Sequence, residues 1–212
     1  FRSLDEPVFL AGLVAFGAGV AAAVARGMLA VPRVGVRLDA VGALRFGLNT
    51  SLVSAGVAAL AFAWSLWSVP RGIDARAYYE LAFWGGGHVL QFTYTLLMFV
   101  AWLLLAEAGG APLPLTPRTA ALLFGIGLAS VFLTPAIYLA YDVGSVEHHR
   151  MLTWLMRFGG GLAIVPFALA AALGLARAPA PSPGQRALRA ALLASHVLYG
   201  AGGLIGQTIS GR

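Results

Sequence analysis

Three histidines are the side chains of this sequence best suited to hold a metal ion. His88 lies inside a long apolar segment, and His148 and His149 stand side by side in Glu147-His148-His149-Arg150. Neutral imidazoles are ligands for copper, zinc and iron, and three of them with an open coordination position suit any of these ions. The sequence contains no cysteine, so no thiolate competes for the metal. The alternative is that His148 and His149 are ordinary polar loop residues.

His88 belongs to a polar stripe along one face of its segment. Glu80, Trp84, His88, Gln91 and Thr95 recur at spacings of three and four residues, which places them on one face of a helix. An ionisable side chain inside an apolar segment is costly and indicates a function by default. Trp84, one turn before His88, is a candidate for cofactor binding. The alternative for His88 is a hydrogen bond to a neighbouring helix.

Three consecutive glycines, Gly85–Gly87, directly precede His88. They predict either close packing of another helix or room for a flat cofactor. The fourth histidine, His196, lies in the last apolar segment without comparable partners. We expect it to serve packing or hydrogen bonding.

Four hydroxyl side chains lead toward His148 along the preceding segment. Ser130 and Thr134 are four residues apart, and Tyr138 and Tyr141 continue nearly the same helical face. In this order the hydroxyls are able to relay protons to a metal site. Equally, the serine and threonine hydroxyls can bond to the carbonyls of their own helix.

Arg157 follows Arg150 by seven residues, so both lie on one face of a helix. Arg157 falls within an apolar segment, and we expect it to be buried enough to need an anion, such as a carboxylate or a heme propionate. The alternative is that its long side chain extends to the outer headgroups.

The segments that must position these residues are those of a membrane protein. Of the 212 residues, 59% are hydrophobic and 10% are charged, whereas soluble domains carry about a quarter charged residues. Crossing the hydrocarbon takes about 20 apolar residues, and a backbone inside lipid must satisfy its own hydrogen bonds as a helix. The sequence therefore predicts an all-α integral membrane protein, one domain over residues 1–212. Its helices are expected at about 7–30, 43–69, 77–107, 118–141, 150–176 and 186–209.

The arginines orient this predicted bundle, because loops rich in arginine and lysine stay in the cytoplasm. Every basic residue is an arginine, and the two sets of loops hold Arg26, Arg33, Arg37, Arg45, Arg118, Arg177, Arg186 and Arg189 against Arg2, Arg71, Arg76, Arg150 and Arg212. The first set is expected on the cytoplasmic side of a bacterial-type inner membrane. Both termini, and a loop holding His148 and His149 just before the fifth helix, are then periplasmic. The helix that contains His88 starts on the same side, so the three imidazoles should meet in the outer third of the bundle.

The histidine pattern resembles that of subunit I, the catalytic subunit of the heme–copper oxidase superfamily. The resemblance rests on WGGGH, which ends at His88, and on EHHR, which contains His148 and His149. It implies that these three residues hold the copper ion CuB opposite a high-spin heme. The six helices would correspond to the fourth to ninth of a twelve-helix bundle. That register runs the first helix from outside to inside, in agreement with the arginines.

Departures from the family pattern indicate a divergent, cbb-like branch. Phe92 occupies the position of a tyrosine in typical oxidases and of a glutamate in nitric oxide reductases of the family. The cbb-type enzymes place the tyrosine on the helix before the histidine pair, which makes Tyr141 the first candidate for catalysis and Tyr138 the second. The low-spin heme histidine and the heme His-X-His pair are absent. The resemblance therefore implies heme axial ligands outside this chain, which would be part of a longer or split subunit.

The resemblance implies a respiratory terminal oxidase that reduces dioxygen to water with electrons from cytochrome c or quinol. Its partners would be membrane lipid and other subunits, including one that carries cytochrome c or copper. Nucleic acid is not expected, because the arginines lie in loops between apolar segments. Nitric oxide reduction at the same site is one alternative. Others are a non-catalytic membrane subunit, and a heme-anchoring subunit that uses His88 and His196.

Overall fold

The computed structural model describes residues 6–30 and 38–210, with side chains as far as residue 206. These residues form α-helices joined by short loops and one 3₁₀ turn, and no strand occurs among them. The helices are α1 (Pro7–Ala30), α2 (Ala40–Ser68), α3 (Ala75–Ala108), α4 (Pro117–Ala129), α5 (Thr134–Ala140), α6 (Val146–Gly159), α7 (Gly161–Arg177) and α8 (Pro183–Ser210).

Six helical spans of the described residues are long and apolar enough to cross a membrane. Four are single helices, α1, α2, α3 and α8. The fourth span joins α4 to α5, and the fifth joins α6 to α7. The prediction of six apolar helices is thus confirmed, and they indicate a multi-pass membrane protein. The orientation stays a prediction, and four of the arginines used for it lie outside the described residues: Arg2, Arg33, Arg37 and Arg212.

The α2–α3 pair is the centre of the bundle, and α3 also contacts α4, α6, α7 and α8. Every buried residue of α2 is small, which allows the close approach by which membrane helices associate. Across this interface the Thr93 hydroxyl donates to the Ser54 hydroxyl over 2.9 Å. The buried residues of α2 are Ala43, Gly47, Thr50, Ser51, Ser54, Ala58, Ala61 and Ser65.

Two spans that the sequence predicts as continuous are interrupted, and the interruptions meet. In the fourth span a 3₁₀ turn over Ser130–Leu133 separates α4 from α5. In the fifth, Gly160 separates α6 from α7. The Ser130 hydroxyl donates to the Gly159 carbonyl over 2.6 Å, so a side chain of one break satisfies a backbone acceptor at the other.

One arginine fastens the loops at the end of the bundle where α3 ends and α8 begins. The Arg189 guanidinium donates to the carbonyls of Gly109, Gly110 and Pro179 over 2.7, 2.9 and 2.6 Å. Gly110 has a φ of +64°, a conformation that favours glycine. Arg189 therefore ties α8 to the α3–α4 and α7–α8 connections. We call the opposite end, where α3 and α6 begin, the histidine end.

Candidate metal centre

His148 is placed by the first turn of α6. The expectation of a loop histidine is wrong, because α6 begins at Val146, four residues before the predicted start at residue 150. Ser145 caps this helix, and its hydroxyl accepts a hydrogen bond from the His148 backbone N–H over 3.1 Å. The side chain is fully buried, with its ring edge-on to Tyr138 at a centroid distance of 4.7 Å. Neither ring nitrogen has a hydrogen-bond partner among the described residues. A buried polar group in that state is costly unless something pairs with it.

His88 and His149 flank His148 from two helices and share one arrangement. The Nδ1 of His88 is 2.8 Å from the Trp84 carbonyl, and the Nδ1 of His149 is 2.9 Å from the Ser145 carbonyl. Each bond runs one turn back along its own helix. It fixes the tautomer with the proton on Nδ1 and leaves Nε2 as the ligand atom, as second-shell bonds do for metal-binding histidines.

His88, His148 and His149 lie near one another at the histidine end, where ring contacts connect them through Trp84. His148 and His149 lie with their ring centroids 5.9 Å apart. Trp84 packs against the other two, with its ring centroid 4.7 Å from His88 and 4.7 Å from His149. The chain thus brings together His88, Trp84, His148 and His149.

The side chains do not stand in a coordination geometry. Within residues 6–30 and 38–206, no three His, Cys, Asp or Glu side chains are arranged to hold a metal ion. A metal on all three histidines therefore needs side-chain rotation from these positions. The Trp84 ring would move with them, because it contacts two of the three. The Nε1 of Trp84 is itself buried and without a hydrogen bond to any described residue.

Of the two candidate tyrosines, Tyr138 lies against the histidines. Its Oη donates to the Ala61 carbonyl over 3.1 Å and is 2.7 Å from the Ser65 hydroxyl, and all three residues are buried. Tyr141 ends α5 and is 37% exposed, and no ring contact joins it to a histidine of the described chain. Placement therefore favours Tyr138, the second choice from sequence.

Two of the three glycines before His88 serve helix packing. A Cβ on Gly85 would collide with the Tyr138 hydroxyl, and one on Gly86 would lie 2.5 Å from the Phe62 ring. A Cβ on Gly87 meets nothing within 4 Å. Of the two interpretations offered by the sequence, the structure therefore favours close packing at Gly85 and Gly86.

The remaining predicted residues are not joined to the histidines by the contacts of the structure. Ser130 bonds to α6, as described above, and Thr134 has no hydrogen-bond partner in the described chain. No direct hydrogen bond among the described residues joins these two hydroxyls to each other or to a carbonyl of their own helix. Arg157 is exposed, with its guanidinium 5.6 Å from the Phe158 ring centroid. The expected burial is wrong, and its pairing with a cofactor anion stays a prediction.

His196 lies at a different depth from His88. It packs on Trp102 with ring centroids 5.0 Å apart, and Trp102 is one of the most buried residues of α3. Trp102 follows His88 by fourteen residues of that helix, a rise of about 21 Å at 1.5 Å per residue. The two histidines therefore cannot face each other across one heme, which removes the heme-anchoring arrangement.

Sequence reasoning missed two residues that shape this site. Ser145 starts α6, and its position three residues before His148 is an N-cap signal that the sequence does contain. Ser65 lies in the predicted second helix with no motif around it. Its partner Tyr138 becomes known only when α2 and α5 are seen to pack.

Comparisons with known proteins add one distant similarity. No protein family profile and no solved structure matches the chain. Over 113 residues it is 31% identical to an uncharacterised protein, RP382, of Rickettsia prowazekii (strain Madrid E). The match covers 48% of this chain and 21% of that protein, so the chain spans about a fifth of the length of the curated relative it matches.

Proposed function

We propose that this chain is a catalytic membrane subunit of heme–copper type, reducing dioxygen to water at the histidine end. The observation that carries the proposal is the convergence of His88, His148 and His149 from two helices. The fully buried His148, without a hydrogen bond to any described residue, is the strongest part of it. In the proposal these histidines bind copper, which faces a heme whose axial ligands lie outside this chain.

The donor chemistry of the histidines fits copper. Imidazole is a ligand that copper favours, and the backbone bonds of His88 and His149 leave each Nε2 available. Copper bound here would supply an electron and a binding site for dioxygen. The burial of His148 would keep water from the reacting oxygen, as closed active sites do.

Tyr138 is the residue of this chain that we assign to proton supply. It contacts the His148 ring, and its Oη already donates to the Ala61 carbonyl, so the Ser65 hydroxyl is left to donate to Oη. A hydrogen bond donated by Ser65 would stabilise the tyrosinate left when Tyr138 gives up its proton. The hydrogen bonds also fix the ring edge-on to His148.

The exposed outer helices support a larger assembly. In the most apolar 18-residue stretches of α1 and α8, 0% and 6% of the residues are buried, whereas 33–44% are buried in those of the other four spans. In the proposal, further helices of a twelve-helix bundle cover them, and a subunit with cytochrome c or copper delivers electrons. The location would be a bacterial-type inner membrane, with the metal site toward the periplasm.

The test is copper content and oxygen uptake of His88→Leu, with His196→Leu as the matched control. Both histidines lie in membrane spans and pack on a tryptophan, but only His88 belongs to the site. We expect His88→Leu to insert normally, lose most of its copper and lose turnover, while His196→Leu keeps both. Equal copper and turnover in the two variants would refute the assignment. Uptake of nitric oxide in place of dioxygen would identify a reductase of the same superfamily.

A non-catalytic subunit is the second candidate, favoured by the position of Trp84. The ring contacts His88 and His149, so these three side chains also make sense as a packed aromatic cluster. Under this alternative Trp84→Leu lowers stability, and the wild type binds no copper. Under the enzyme proposal, copper is present in the wild type.

A further inference from the structure

Two arginines and two aromatic rings form a connected row on the outer surface of α6. The Cζ atom of Arg150 lies 5.9 Å from the centroid of the Trp154 ring. In the same way, the Cζ atom of Arg157 lies 5.6 Å from the centroid of the Phe158 ring. The two rings contact each other with centroids 5.3 Å apart. All four side chains are exposed, and we call them the α6 arginine surface.

The two guanidiniums of this surface have no anionic partner among the described residues. Each contacts a ring and forms neither an ion pair nor a hydrogen bond within that part of the chain. Glu147 is the acid of the first turn of α6, and it pairs with neither arginine. Two uncompensated positive charges on one surface attract an anion from outside the chain. A phosphate suits them best, because the planar fork of a guanidinium matches two phosphate oxygens.

The depth of Arg157 in its span corresponds to one edge of the hydrocarbon. Arg177 follows it by twenty residues, a rise of about 30 Å at 1.5 Å per residue, and no charged residue lies between the two. Because the hydrocarbon core of a bilayer is about 30 Å thick, these arginines mark its two edges. Arg150 lies about 10 Å farther out along the helix, among the lipid head groups. Trp154 lies between Arg150 and Arg157, at the depth where membrane proteins concentrate tryptophan.

Apolar side chains continue from this surface toward the middle of the span. Leu162 and Val165 follow Phe158 in the chain and are 76% and 56% exposed. Leu169, farther along α7, is 59% exposed. These residues offer hydrocarbon chains an apolar surface next to the arginines. A ligand with a phosphate at one end and hydrocarbon at the other can therefore contact both parts.

We propose that the α6 arginine surface binds the head group of an anionic phospholipid, whose phosphate both guanidiniums contact. A zwitterionic lipid carries a cationic amine beside its phosphate, and that cation would meet the second guanidinium. Free phosphate would gain nothing from the apolar side chains of α7. Two positive groups are thus best matched by a head group of net negative charge. The inference is independent of the proposed function, because it uses no residue of the histidine site.

Native mass spectrometry of the full chain in detergent measures the binding of lipid directly. Dioleoylphosphatidylglycerol is the anionic probe, and dioleoylphosphatidylcholine, which has the same acyl chains, is the zwitterionic one. We expect one phosphatidylglycerol to bind about tenfold more tightly than phosphatidylcholine, as hydrogen bonds between charged groups predict.

Substitutions at Arg157 separate its charge from its fork. Arg157→Gln removes the charge, and we expect about tenfold weaker binding of phosphatidylglycerol. Arg157→Lys keeps the charge but loses the planar fork, so its loss of affinity should be smaller. The matched control is Arg71→Gln, which removes an exposed arginine at the same end of the bundle and should leave the affinity for phosphatidylglycerol unchanged.

Thermal unfolding gives a second measurement, because a ligand that binds only the folded chain stabilises it. Phosphatidylglycerol should raise the melting temperature of the wild type and of Arg71→Gln. It should not raise that of a variant in which Arg150→Gln and Arg157→Gln are combined. The substituted side chains are exposed, so we expect these variants to fold as the wild type does.

Three results would overturn the inference. Equal affinity of the wild type for the two lipids would mean that the arginines extend to head groups of any kind. Equal affinity for phosphatidylglycerol in Arg157→Gln and Arg71→Gln would mean that the lipid binds elsewhere. A heme that the wild type holds and Arg157→Gln loses, with unchanged binding of phosphatidylglycerol, would assign the guanidinium to a cofactor anion.

Discussion

Alanine substitutions at the three glycines before His88 should give three different outcomes. At Gly85 the new methyl collides with the Tyr138 hydroxyl, and at Gly86 it lies 2.5 Å from the Phe62 ring. At Gly87 it meets nothing within 4 Å. Gly87→Ala is a matched control for the other two, because it makes the same chemical change at an adjacent position of the same helix.

The magnitude follows from what each neighbour can do. Overpacking a closed interface costs about 1–3 kcal/mol, and Gly85→Ala should lie at the upper end. The Tyr138 ring cannot retreat easily, because its hydroxyl is bonded to Ser65 and Ala61. Gly86→Ala should cost less, because Phe62 is only partly buried and its ring can turn. Gly87→Ala should be neutral or stabilising by up to about 1 kcal/mol, since alanine is the better helix former.

The assay is thermal unfolding of the purified protein in detergent, with helix content followed by circular dichroism. A loss of 2 kcal/mol corresponds to a melting temperature lower by about 4–8 °C for a chain of this size. Gly85→Ala should be partly rescued by Tyr138→Phe, which removes the hydroxyl but keeps the ring. Equal melting temperatures for Gly85→Ala and Gly87→Ala would refute this packing of α3 against α5.

The remaining predictions concern the two ends of the bundle. Ser145→Ala removes the cap of α6 and should lower the free energy of unfolding by about 1 kcal/mol. It should also weaken copper binding, because the turn that holds His148 becomes free. Thr116→Ala removes a cap at the other end of the bundle and should cost as much stability without affecting copper binding; a loss of copper in Thr116→Ala but not in Ser145→Ala would refute the role of Ser145. Arg189→Lys should destabilise by about 1–2 kcal/mol in thermal unfolding, because an ammonium cannot reach three carbonyls in a fork. Arg186 is exposed, and Arg186→Lys is the control that should leave the melting temperature unchanged. Equal effects of the two substitutions would contradict the role of Arg189 in holding the loops.

The helices could be predicted from sequence because long apolar stretches leave a membrane chain few alternatives. The interruptions were missed because nothing local requires them. Pro135 and Gly160 are compatible with continuous membrane helices, in which neighbouring groups satisfy freed backbone atoms. Whether the helix breaks depends on the partner across the interface, here the Ser130 hydroxyl on the Gly159 carbonyl. That contact is known only once the fourth and fifth spans are packed.

The candidate site divides in the same way. Convergence of the histidines follows from the direction of the helices, because α3 starts and the fourth span ends at one end of the bundle. The rotamers of the side chains at the site depend on which neighbour each of them contacts, and the sequence does not show which contact is favoured. Trp84 occupies the contacts between His88 and His149, and the Tyr138 hydroxyl turns to α2. The family resemblance and the spacing from His148 favour Tyr141, whereas burial and contact with the His148 ring favour Tyr138.

The three histidines are not equivalent in what a metal would change. The Nδ1 bonds of His88 and His149 to carbonyls one turn back are the bonds a metal-binding histidine keeps. His148 has neither nitrogen paired within the described residues and is fully buried. Pairing either nitrogen would recover the free energy lost when that polar group left water. His148 is therefore where the folded chain gains most from a ligand, and this asymmetry gives the proposed centre its physical basis.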